Sequence, residues 1–188
     1  FDKLGYETVY KVMSAADFET PQDRKRCFFV AVRSDIMDKA GLNFMTLESE
    51  VYPTPTTPKH IGVKEAIEDC INDPEQEKEL FAYVQNGFQK KWIELLEFNP
   101  TRHRKPSDPD FIEINPKRSM FNMIRPAPHL PSPTLTQRGQ QMSVSGVFHY
   151  AKNRKLTIPE LKRLMGLPED FKLEGKFDKQ AERIGRMV

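Results

Sequence analysis

The chain has 188 residues, 38% of them hydrophobic and 30% charged, with a formal net charge of +2; this fits a folded chain of one ordinary domain, or one small domain with pieces of another, and excludes a disordered one. No apolar run approaches the ~20 residues that cross a bilayer as a helix, and the first ten residues carry neither a basic nor an apolar targeting pattern, so no membrane partner is expected. Two cysteines, Cys27 and Cys70, and four scattered histidines, His60, His103, His129 and His149, give neither a disulfide framework nor metal-ligand spacing; a reducing cytoplasm is the expected setting, and the start at Phe1 reads as part of a longer protein.

Residues 7–14 are rich in β-branched and aromatic side chains and predict a strand. Residues 26–33 repeat that character as a near-continuous apolar run, which predicts a strand covered on both faces inside a sheet. The intervening residues 15–25 are too many for a tight turn, and loops held by a rigid sheet are where binding residues tend to sit. After Arg33 the alternation is lost, and residues 52–58 form an extended Pro/Thr linker. A short amphipathic helix is expected over 62–71, with Val63, Ala66, Ile67 and Cys70 or Ile71 on one side. Another is expected over 75–87. Residues 90–98 satisfy helix and strand templates alike. The Pro-rich stretch 99–133 predicts irregular structure held by Phe111, Ile112, Ile114, Met120, Phe121, Met123 and Ile124. Thr157 and Glu160 make a capping box before Leu161, Leu164 and Met165, with Gly166 and Pro168 as the stop. A last helix begins near Asp178.

Charge is unevenly distributed. Residues 36–98 hold six Lys/Arg against twelve Asp/Glu, whereas 99–155 hold ten against three: Arg102, Arg104, Lys105, Lys117, Arg118, Arg125, Arg138, Lys152, Arg154 and Lys155. A local excess of cations suits a surface that meets phosphates, or an ordinary solvated basic face.

Four strings then stand in one order. Residues 16–33, with Gln22, Arg24 and Arg26, resemble a Gln-x-Arg-x-Arg loop feeding a strand, the eighth conserved motif of the DNA (cytosine-5) methyltransferases. Residues 125–136, with Gly139 close behind, resemble the ninth motif, which anchors the recognition domain. Residues 154–171 resemble the helix between the last motifs. Residues 180–188 resemble the tenth, at the rim of the cofactor pocket, with Arg186 where the family usually has Asn. The chain is thereby identified as similar to the C-terminal portion of that family.

The resemblance implies an α/β fold: a partial Rossmann-like methyltransferase core, its last strands and C-terminal helices, with an inserted small, irregular target-recognition domain. Residues 1–35 would end the catalytic core, 36–124 would be the variable recognition region, and 125–188 would return to the core. It implies S-adenosyl-L-methionine as cofactor and double-stranded DNA as partner, hence a nucleoid-associated protein. The family flips its cytosine out of the duplex, and a guanidinium on the cytosine O2 would stabilise charge developing on the ring. Arg26 is the residue expected there, with Arg24 and Gln22 completing the catalytic loop. Gly185, Arg186, Met187 and Val188 are the expected cofactor contacts. Arg102, Arg104, Lys105, Lys117, Arg118, Thr134, Thr136 and Arg138 are the expected DNA contacts. The family's nucleophile is a Cys directly after a Pro, but Cys27 follows Arg26 and Cys70 follows Asp69. The nucleophile, the Gly-rich cofactor loop and the Glu-Asn-Val string are therefore expected in a separate or absent N-terminal half. Cys27 reads as a small strand hydrophobe and Cys70 as a helix packing residue. A non-catalytic DNA-binding or regulatory subunit and a tRNA-methylating relative stay open as alternatives.

Overall fold

Along the chain run β1 (Tyr6–Ser14), β2 (Gln22–Asp23), β3 (Lys25–Arg33), α1 (Ser34–Ala40), α2 (Phe44–Val51), α3 (Val63–Ile67), α4 (Pro74–Asn86), α5 (Lys90–Leu95), β4 (Met123–Ile124), β5 (Ser132–Pro133), β6 (Gly146–Val147), α6 (Ile158–Leu164) and α7 (Phe177–Arg186). This is a computed structural model that describes residues 1–87, 90–96, 102–105, 108, 123–143 and 145–187. The expected packing residues Phe111, Ile112, Ile114, Met120 and Phe121 lie outside the described residues.

The two β-rich segments pair antiparallel, from Tyr6 opposite Arg33 to Ser14 opposite Lys25. One face of this ribbon is covered by α1 and α2, through Met37, Leu47 and Tyr52 packed with Val9, Met13, Val30 and Val32. The Tyr52 hydroxyl sits 2.8 Å from the Phe28 carbonyl and 3.0 Å from that of Val9, so its proton serves one strand or the other. The other face is open. Tyr10 and Phe29 lie opposite each other in the register, 67% and 71% exposed, with Val12 and Cys27 exposed beside them. This corrects the expectation that residues 26–33 are covered on both sides and that Cys27 is a packed hydrophobe: among the described residues nothing lies over that face.

The two helices after Arg33 escaped the sequence reading because each buries a single core residue, Met37 or Leu47. Such short helices depend on their ends, and α2 has a capping box in which Asn43 Oδ1 accepts from the N–H groups of Met45 and Thr46. Farther on, Val63, Ala66 and Ile67 of α3 share one core with Leu135, Val147, Leu156, Leu161 and Leu164, and with Ala181 and Ile184 of α7. The ambiguous 90–98 segment is helical over Lys90–Leu95, and Val84, Ile93, Leu96, Met123 and Phe148 form a smaller cluster.

Buried polar groups fasten this C-terminal core. The expected Thr157/Glu160 capping box is present. Glu160, 1% exposed, also receives two hydrogen bonds from the Arg154 guanidinium at 2.7 and 2.8 Å and one from Asn72 at 3.0 Å. Burial works against the Glu160 carboxylate, but the bonds and charge of Arg154 outweigh it and hold its pKa below the usual range. His149 is buried and neutral: Nδ1 accepts from the N–H groups of Ala151 at 3.0 Å and Lys152 at 2.9 Å. Burial pushes its pKa down to about 4 despite the pull of Glu160, so the 3.8 Å approach of these two is no ion pair at neutral pH.

Acid sensitivity follows. Between the ordinary histidine value of 6.5 and about 4, the unfolded chain binds a proton that folded His149 refuses. The His149 contribution to stability is therefore complete above pH 6.5 and lost as pH falls, by at most about 1.4 kcal/mol per pH unit. Urea unfolding across that window should show this slope in the wild type and a flatter one in His149→Asn, which keeps an acceptor but cannot titrate.

Candidate functional site

Strand β2 leaves the ribbon to pair in parallel with β5, so Gln22 stands opposite Ser132 and Asp23 opposite Pro133. This brings two distant motifs together. Gln22 is fully buried and spans three segments: its Oε1 accepts from the Leu135 N–H at 3.3 Å, while its Nε2 donates to the Leu164 carbonyl at 3.1 Å and lies 3.0 Å from Met165 Sδ. Arg24, 8% exposed, donates from Nη1 to the Leu135 carbonyl at 3.0 Å. Burial, and then the neighbouring charge of Arg26, disfavours the Arg24 cation. Arg26 differs from both. It is half-buried, and its Nη1 donates only to the adjacent Lys25 carbonyl at 2.7 Å, in an exposed setting.

The expected catalytic trio is thus divided. Gln22 has no surface with which to meet a base, and Arg24 spends its reach on the backbone; both position the 134–136 segment, while Arg26 is left accessible. Leu135 was missed because its role resides in its peptide group, which no side-chain pattern announces. Thr134 is a positioning residue as well, since its Oγ1 donates to the Asp23 carbonyl at 3.0 Å. Thr136 and Arg138 are exposed just beyond the clamp.

The tenth motif meets the ninth at this point. A Cβ on Gly185 would lie 2.6 Å from the Thr136 carbonyl oxygen and from the Gln137 nitrogen, so only glycine lets α7 come so close. Gly185 is buried against that backbone. Arg186 is exposed and pairs with Glu182 at 2.5 Å, and the Met187 N–H donates to the Ile184 carbonyl at 3.1 Å. Val188 lies outside the described residues. The end of α7 therefore does not by itself fit S-adenosyl-L-methionine, for it presents an edge of exposed groups and no cradle.

The eight described cations of residues 99–155 do not all lie at the surface. Arg104, Arg125, Arg154 and Lys155 are buried. Arg104 is buried and approaches Asp108 at 3.6 Å. Arg125 donates to the carbonyls of Ile93 and His149 and to Asn153 Oδ1, and burial lowers its pKa to about 10. Arg102, Lys105 and Arg138 are exposed, and Lys117 and Arg118 lie outside the described residues. Cys70 packs beside the α3 and α6 core, as expected, and burial pushes its thiol up to about 11, which makes it a poor nucleophile. Among the described residues no group of His, Cys, Asp and Glu could hold a metal ion, and no helix is long and apolar enough to cross a membrane.

Comparison with known proteins adds an independent finding. A family model described as C-5 cytosine-specific DNA methylase matches residues 1–188. The type II methyltransferase M1.HphI of Haemophilus parahaemolyticus is 27% identical over 204 residues, covering 100% of this chain and 46% of that protein. The fold is shared with a prophage-encoded DNA modification methyltransferase of E. coli, at 18% identity and TM-score 0.56, over 99% of this chain and 57% of the other. It is also shared with the S. pombe Dnmt2 methyltransferase, at 13% identity and TM-score 0.53, over 100% and 53%. The chain spans about half the length of the curated relatives it matches.

The clamp makes a stability prediction. Gln22→Ala leaves the buried Leu135 N–H without its acceptor and should destabilise the chain by about 1–3 kcal/mol in urea unfolding. Arg26→Ala, on the exposed side of the same motif, should stay within about 0.5 kcal/mol of wild type.

Proposed function

Because the chain belongs to the C-5 cytosine-specific DNA methylase family, we propose that it forms the recognition and base-contacting part of an enzyme that methylates C5 of cytosine in double-stranded DNA, with S-adenosyl-L-methionine as methyl donor. The observation that carries this reading is the division of labour around Leu135. Two of the three motif side chains are consumed in holding the backbone, which leaves Arg26 accessible at the start of β3, where it is paired opposite Met13. A guanidinium presented from a paired strand end is what a flipped cytosine needs at O2. Donation there withdraws electron density from the ring, makes C6 more susceptible to a thiolate, and stabilises the negative charge that addition places on the ring.

This chain holds no Cys after a Pro, so the nucleophile and the cofactor cradle belong, in this reading, to the other half of the enzyme. The open face of the β1–β3 ribbon supports such a partner. Tyr10, Val12, Cys27 and Phe29 present an exposed apolar strip of the kind that marks an interaction surface. Recognition of the DNA sequence is assigned to residues 36–124, the part with Arg102 and Lys105, and Thr136 and Arg138 would meet the phosphate backbone. Thr136 and Arg138 follow the Leu135 clamp, with the Thr136 backbone against Gly185, so a strand held there would be registered against the start of β3.

Two experiments test the reading. In the complete enzyme, Arg26→Ala should lower methyl-transfer turnover by about 10²–10³-fold while DNA affinity changes only a few-fold; unchanged turnover would remove the role given to Arg26. When this chain is mixed with a separately expressed N-terminal half, methyl transfer to cytosine-containing DNA should appear only with both present. Phe29→Asp should abolish that complementation without unfolding the chain.

A further inference from the structure

Lys155 is a lysine with no exposed surface, on the return from the ninth motif to α6. Its Nζ donates to the Gly139 carbonyl at 2.6 Å and to the Ser145 carbonyl, and it stands 4.5 Å from the centre of the Phe148 ring. The two backbones it joins are already pinched together. Gly146 has φ +94, and a Cβ there would lie 1.8 Å from the Gly139 carbonyl oxygen. Beyond Gly139 the 140–143 segment is tied to the first turn of α7, where the Met142 N–H donates to Asp178 at 2.6 Å. Asp178 is the charged group that acts on Lys155; the other contacts are carbonyl dipoles and an aromatic face.

This coordination suits a neutral amine. An NH₂ group has two N–H donors for two carbonyls, whereas an ammonium brings a third donor and a full charge into a dry site. We propose that Lys155 is a proton-sensitive latch, pinning the 139–143 segment to Ser145 while its amine is neutral and releasing the segment when it takes up a proton. The latch concerns the segment directly after Thr136 and Arg138, but it does not depend on what those residues bind.

The sign follows from linkage. Burial lowers the Lys155 pKa from its ordinary value of 10.5 to about 7, with Asp178 opposing. Once the segment opens and the amine meets water, the ordinary value returns. Between pH 7 and 10.5 the open state therefore binds a proton that the closed state lacks, and raising the pH closes the latch by about tenfold per unit. Acidification towards pH 7 loosens it, and below that the dependence vanishes.

Limited trypsin digestion reads this directly, because cleavage after Arg138 requires the segment to open locally. The rate after Arg138, divided by the rate after exposed Lys172 in the same sample, should fall about tenfold per pH unit from 7.5 to 9.5, and should be independent of pH in Lys155→Met. A flat ratio in the wild type, or the same fall in Lys155→Met, overturns the proposal. Should Lys155→Met fail to fold, the ¹³Cε resonance of Lys155 in the wild-type chain decides. A midpoint near 7 supports the latch, and one near the ordinary lysine value ends it. Loss of DNA binding or of methyl transfer would change none of these readouts, so the two readings fail separately.

Discussion

Both polar groups of the Leu135 peptide are held by side chains more than a hundred residues away in sequence: Gln22 accepts from its N–H and Arg24 donates to its carbonyl. A buried peptide group must find partners somewhere, and here they come from the loop between β1 and β3. This arrangement sets the position of everything nearby. It draws β2 against β5, carries Gln22 to the end of α6, and fixes the 136–137 backbone on which Gly185 rests. Since α7 can approach only where no Cβ intervenes, the start and the end of the chain are joined through the backbone of residues 135–137. Arg26 remains accessible as a consequence, because its two neighbours in the motif have taken the structural work.

The same economy governs the charges. A concentration of lysines and arginines invites the expectation of a phosphate-binding surface, yet four of the eight described cations are buried and bind carboxylates, amides or backbone carbonyls. Arg154 shows why such burial is tolerated. It meets Glu160 through two hydrogen bonds and Glu77 through another, so the desolvation of each charge is offset by a partner of opposite sign. Lys155 has carbonyls and an aromatic ring around it in place of a direct carboxylate, and its proton is correspondingly less secure. Charge counted along a sequence thus measures composition, while the surface potential depends on which cations the core has absorbed.

Much of the architecture was legible beforehand. The two long strands, the helices over Val63–Ile67 and Pro74–Asn86, the Thr157/Glu160 capping box and the final helix all followed from periodicity and end signals. Helices α1 and α2 did not, because one buried residue apiece produces no periodic stripe, although Asn43 with Thr46 was a capping signal available to be read. The apolar run of β3 was read as covered on both faces. A composition apolar on both faces cannot tell which face is packed, and among the described residues only one is.

The sequence by itself determined the family, through four motifs whose order chance does not readily reproduce, and the local elements that carry them. Local chemistry sufficed for this, since caps, strand alternation and motif spacing all act between near neighbours. Only the tertiary structure decided which motif residues can meet a ligand. Gln22, Arg24 and Arg26 are equivalent as letters in one short string, and burial separates them: the first two are buried against the backbone of residue 135, and the third is only half-buried. Such contacts between residues distant in sequence come from the packing of the whole chain, and no short-range pattern records them.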